Sequence, residues 1–142
     1  MSARVLIITD RLETSSLLRE TVRRRAAQDR AEFRLLVTNP ARAEFHLVHA
    51  ERHVAVEQAQ PALLRMLEEL TAETGTQVSG AVSIRHDAFE AVEEDVLVRP
   101  ADEIIVAVHE HDLARQLHHD LPHRLESLHL PVTLLPSPVA SQ

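Results

Sequence analysis

Residues 4–10 read RVLIITD, a short and nearly continuous apolar run that is rich in β-branched side chains. Such a run is typical of a strand that is covered on both faces, as in a parallel sheet. The run IIVAV at residues 104–108 is of the same kind and is the strongest strand signal in the chain. We therefore predict an α/β fold in which residues 4–10 form the first, central strand.

Further strands are predicted at residues 33–38, 78–84 and 132–135. Helical patterns lie between them, and strands that alternate with helices of this length form right-handed βαβ units. We expect one α/β domain over residues 1–136, built as a three-layer, doubly wound parallel sheet of five strands. Residues 137–142 are expected to be a flexible C-terminal tail.

The helix predictions rest on capping residues and apolar stripes. Thr14 or Ser15 can cap the first helix, which has one apolar side. The second helix is predicted to carry Pro61 in its first turn and to end at Gly75, which supplies a left-handed C-terminal cap. A long loop is expected before it, over residues 41–56, because the apolar residues there follow no period.

Composition excludes several classes of protein. Apolar residues make up 44% and charged residues 26% of the chain, as in ordinary globular proteins. The formal net charge is -7 and there is no Trp or Tyr, so we expect no binding to nucleic acid or to acidic membrane surfaces. There is no Cys and no apolar run long enough to span a bilayer, and we expect no leader before the first strand. We expect a cytoplasmic protein.

Three segments in a particular order and spacing resemble the universal stress protein family. They are the opening strand ending in Thr9-Asp10, the segment ADEIIV at residues 101–106 and the segment LPVT at residues 130–133. The resemblance covers nearly the whole chain, as a plan of five βα units. It implies a Rossmann-like sheet with the strand order 3-2-1-4-5 and a role in stress response or regulation.

The chain departs from the glycine motif that wraps the phosphates in nucleotide-binding members of this family. That motif, G-x2-G-x9-G-S/T after the fourth strand, falls here on Ala107, Glu110, Asp120 and Leu121. Glycine lets backbone amides approach an anion, whereas a carboxylate fills the space and repels it. At an effective dielectric of about 20, unit charges about 4 Å apart repel by about 4 kcal/mol, or about three decades of affinity. We therefore predict no cofactor and disfavour ATP or AMP; nucleotide binding through altered contacts is the alternative.

Other residues of the ligand pocket follow from the same resemblance. Asp10 matches a family position that lines the nucleotide pocket, and it is either a retained pocket residue or an acid that orders its loop. Arg11 and Leu12 stand where small residues usually follow. A helical stretch interrupted at Pro122 is predicted between the fourth and the last strand, and Asp120 can cap its last helix and so supply the anion itself. The pocket candidates are Asp10, Arg11, Ala107, His109, Glu110 and Asp120.

Five of the ten histidines fall between the fourth strand and the last helix, which raises the possibility of a metal site. The candidate ligands are His109, His111, His119 and His123. His119 and His123 have the i, i+4 spacing of one helical face, but Pro122 lies between them. Since there is no HExxH motif, we favour structural or solvated histidines over a metal site or a pH sensor. His46, His49 and His53 resemble loop residues. The sequence contains no G-x-S-x-G turn, so it does not indicate a nucleophilic enzyme.

The last predicted strand bears on assembly. With the order 3-2-1-4-5 it lies at the sheet edge, and an apolar edge strand has to be covered or paired. In the resembled family the last strand commonly mediates dimers, and Pro131 and Pro136 limit pairing to the residues between them. We expect a closed homodimer. The interface candidates are Leu128, Leu130, Val132 and Leu134. The sequence does not indicate which small molecule or protein the chain binds.

Overall fold

The computed structural model describes residues 3–38, 49–83, 88–107 and 130–135. The strands are β1 (Ala3–Thr9), β2 (Ala31–Thr38), β3 (Ser79–Ser83), β4 (Glu103–Ala107) and β5 (Val132–Leu134). The helices within the described ranges are α1 (Ser16–Gln28), α2 (His49–Thr74) and α3 (Ala88–Val98). The strands form one parallel sheet in the order β3-β2-β1-β4-β5. The predicted fold class and strand order are confirmed.

Alternate residues of the strands point to two faces of the sheet, and both faces are buried. On the first face, Val5 and Ile7 of β1 belong to a core cluster with side chains of α1 and α2. On the second face, Leu6 and Ile8 belong to a cluster with side chains of α3. All four residues are at most 2% exposed. This double cover is the reason that residues 4–10 are apolar without alternation.

Helix α1 begins as its sequence predicts. The Oγ of Ser15 accepts a hydrogen bond from the amide of Leu18 at 3.1 Å, so Ser15 is the N-cap. In the last turn, Nη2 of Arg25 lies 2.6 Å from Oε1 of Glu103, which ties α1 to the start of β4. Hydrogen bonds to Glu103 and then to Asp29 raise the pKa of Arg25 above its usual value.

Helix α2 differs from its prediction at its start. It begins at His49 instead of near Pro61, so the expected loop over residues 41–56 was wrong from residue 49 onward. His49 and His53 therefore lie on a helix and not in a loop. Inside a helix, proline removes one backbone hydrogen bond and crowds the preceding turn. Here the helix continues through it, and the buried stripe Leu63, Met66 and Leu70 follows directly. Residues 41–48 lie outside the described ranges.

The second helix ends where it was predicted to end. Gly75 follows α2 with a φ of 76°, the left-handed conformation that a C-terminal cap needs. Helix α3 ends at Val98, directly before Arg99-Pro100. The helix predicted around Pro122 and the tail predicted at residues 137–142 lie outside the described ranges. None of the helices in the described part of the chain is long and apolar enough to cross a membrane.

Candidate functional site

The strand order places a topological switch point between β1 and β4. The chain passes from β1 to β2 on one side, and later strands are added beside β1 on the other side. Ligands of open α/β sheets bind at the carboxyl ends of the strands on either side of such a point. Thr9, the last residue of β1, is paired in register with Ala107, the last residue of β4. The structure thus brings two of the sequence-predicted regions together at this edge.

Asp10 follows directly after β1 and is only 3% exposed. Thr9 and Thr38, at the ends of β1 and β2, are fully buried. A carboxylate inside a protein requires polar partners, and the interactions with these partners fix the position of the side chain. Both predicted roles of Asp10, in a ligand pocket or in ordering the loop, are compatible with this burial and stay predictions.

The loop from β1 to α1 is held by several specific contacts. The amide of Arg11 donates to Oγ1 of Thr9 at 3.2 Å, which closes a turn directly after the strand. Leu12 packs against the cluster on the first face, and the hydroxyl of Thr14 donates to Glu69 of α2. Arg11 itself is exposed. Leu12 thus serves as an anchor in the core, while Arg11 leaves one cation in solvent beside the switch point.

Ala107 occupies the position at which the family resemblance places the first glycine of the phosphate loop. It is the last residue of β4, is 2% exposed and belongs to the cluster on the first face. Its methyl group therefore contributes to core packing. Its backbone is paired with Thr9, so this residue is part of the sheet.

Most of the other predicted site residues lie in parts of the chain that the structure does not describe. His109, Glu110 and Asp120, with the metal candidates His111, His119 and His123, lie outside the described ranges. Among the described residues, no three His, Asp or Glu side chains are placed to hold a metal ion. Leu128 also lies outside them, as does the side chain of Leu134. Leu130 and Val132 are half-buried against the cluster on the second face.

A concave site that the sequence did not predict lies at the amino ends of the strands. A cavity of about 380 Å³ lies beside the first halves of β1 and β2, the start of β3 and the end of α3. We call it the amino-end cavity. Its wall contains the ion pair of Arg34 and Asp95, in which Nη2 lies 2.9 Å from Oδ1. A signal was present, because Arg34 interrupts the apolar strand FRLLV and a cation in a covered strand needs a partner.

Comparison with known proteins bears on the fold. A crystal structure of a protein from the universal stress protein family from Burkholderia pseudomallei matches 92% of this chain and 96% of that chain, with a TM-score of 0.53 and 17% sequence identity. The chain has the fold of a universal stress protein. The sequence matches no protein-family model and no curated protein. At this level of identity the likeness concerns the arrangement of the strands and helices.

Proposed function

We propose that this chain is a non-catalytic module of the universal stress protein type, which acts as a homodimer in stress response or regulation and does not bind ATP through a glycine loop. The observation that carries the proposal is the position of Ala107. The fold supplies the switch point, and Ala107, which the resemblance aligns with the first glycine of the phosphate loop, is part of the core packing there.

The loss of ATP binding also has support from charge. Two of the positions that correspond to motif glycines are Glu110 and Asp120, so carboxylates replace the residues that would approach the phosphates. A backbone amide next to glycine attracts an anion, but a carboxylate repels it. Arg11 is exposed beside the switch point, but it would not replace a loop of backbone amides as a phosphate site. A single solvated guanidinium contributes little binding free energy.

The homodimer has support from the sheet edge. Within the described ranges, β5 pairs with β4 and with no other strand, so it ends the sheet. Leu130 and Val132 are covered only in part by their own subunit. A second copy that packed on this edge would bury the rest, and the flanking prolines Pro131 and Pro136 would stop further strand addition.

Thermal-shift assays with ATP, AMP and cyclic AMP, with and without magnesium, test the proposal. A ligand at about 100 times its dissociation constant adds about 2.7 kcal/mol to the free energy of unfolding, which a melting curve detects. We expect no shift with ATP. A shift that is lost in the variant Asp10→Asn would instead support a nucleotide-binding protein with altered contacts at the switch point, and would replace this proposal.

A further inference from the structure

The amino-end cavity exists because small side chains lie next to large ones on the second face of the sheet. Arg34 of β2 is paired in register with Ser79 of β3, and Leu36 with Ala81. The cluster on this face takes its side chains from β1, β2, β4 and α3, so β3 is left with less cover than its neighbours. The resulting space of about 380 Å³ is within the usual size of small-molecule sites, roughly 300–1,000 Å³.

Arg34 is fixed in the wall of this cavity by Asp95. Its Nε donates to both carboxylate oxygens, at 3.0 and 3.1 Å, and its Nη2 lies 2.9 Å from Oδ1. A guanidinium has five N–H donors, and no described group accepts a hydrogen bond from Nη1. The side chain is 17% exposed, so its remaining donors are oriented by the ion pair and are still accessible. An arginine held in this way is well suited to bind an oxyanion.

Two further arginines line the same cavity. Arg4 and Arg99 are exposed, and neither guanidinium has an ion-pair partner in the part of the chain that the structure describes. The acids of the lining are Asp95, which Arg34 neutralises, and Glu32, which is exposed beside Arg4 in the register of β1 and β2. The lining therefore contains more cationic than anionic side chains, although the whole chain has a formal charge of -7.

Apolar groups complete the cavity. Val98 is 67% exposed at the end of α3, and Pro100 follows it in the lining. An exposed apolar surface in the same lining as cationic donors suits a small organic ligand with an anionic group. We propose that the amino-end cavity binds a small organic anion, whose carboxylate or phosphate group is held by Arg34, Arg4 and Arg99 and whose apolar body contacts Val98 and Pro100. This site is at the opposite end of the strands from the switch point and is independent of nucleotide binding there.

An NMR titration of the full chain with three matched probes tests this site. Phenyl phosphate and benzoate carry the two candidate anions on one apolar ring, and benzamide carries the same ring without charge. We expect saturable shifts of the backbone amides of Arg34, Ser79 and Ala101 with at least one anion and not with benzamide. The anion with the lower dissociation constant identifies the preferred headgroup. If neither anion saturates these shifts, or if benzamide produces the same ones, the proposal is wrong.

Variants that leave the Arg34–Asp95 pair intact separate charge recognition from general packing. Arg4→Gln and Arg99→Gln should each raise the dissociation constant about tenfold, because each removes a charge-assisted hydrogen bond. Glu32→Gln should lower it, since an acid is removed from the mouth of the cavity. The matched control is Arg65→Gln, an exposed arginine on α2, which should leave the dissociation constant unchanged. Equal weakening by Arg65→Gln and Arg4→Gln would show only a long-range charge effect and would overturn the assignment.

Discussion

The Arg34–Asp95 pair joins β2 to α3 through side chains that are only 17% and 8% exposed. Asp95→Ala would leave the Arg34 cation largely buried and without its partner. We expect a loss of about 2–3 kcal/mol in the free energy of unfolding, somewhat less than for a fully buried pair because Arg34 retains some contact with water. Urea denaturation followed by circular dichroism measures this loss.

The control for this variant is Glu20→Ala, which breaks the exposed pair of Glu20 and Arg24 on α1. Exposed pairs within one helix contribute roughly 0.3–0.5 kcal/mol, so this change should be nearly neutral. If the two variants lose the same stability, the Arg34–Asp95 pair does not have the structural role that its burial indicates.

Close contact between β3, β2 and α2 depends on Gly80. A Cβ at this position would lie 2.8 Å from the carbonyl oxygen of Leu35 and 2.9 Å from Cδ2 of Leu67. The side chain could shift, but the backbone of a neighbouring strand cannot do so without disturbing the sheet. We expect Gly80→Ala to reduce the free energy of unfolding by about 2 kcal/mol or more.

Gly75→Ala provides the comparison, because a Cβ at Gly75 meets nothing within 4 Å and only the positive φ of 76° opposes it. That conformation costs a non-glycine residue roughly 1–2 kcal/mol. Both melting temperatures should fall, with the larger drop for Gly80→Ala. The reverse order would mean that β3 does not pack against α2 as described.

Elements differed in how well the sequence predicted them. Strand β1 was predictable because both of its faces are buried, so the apolar run itself marks the strand. The start of α2 was not, because Pro61 normally marks a first turn and here lies inside the helix. The amino-end cavity was missed because its arginines come from β1, from β2 and from the residue after α3, and only the sheet register and the end of α3 bring them together. Arg34 alone was visible as a charge inside an apolar strand.

At the scale of the whole molecule, the edge strand β5 predicts self-association. The unmodified chain should sediment as a dimer at micromolar concentration, and Val132→Asp should give monomer or insoluble protein, since it places a charge at the edge. Val132 also packs on its own core, so the matched control is Leu64→Asp, at a site 59% exposed on α2. That control should remain dimeric. A monomeric unmodified chain would contradict the dimer.

We propose that this chain does not bind ATP in the manner of nucleotide-binding universal stress proteins. Calorimetric titration of the full, untagged chain with magnesium ATP tests it most directly. Because Ala107 is buried in the core and acidic residues stand at two motif positions, we expect no measurable binding at micromolar ATP. A saturable isotherm with a sub-micromolar dissociation constant would contradict it.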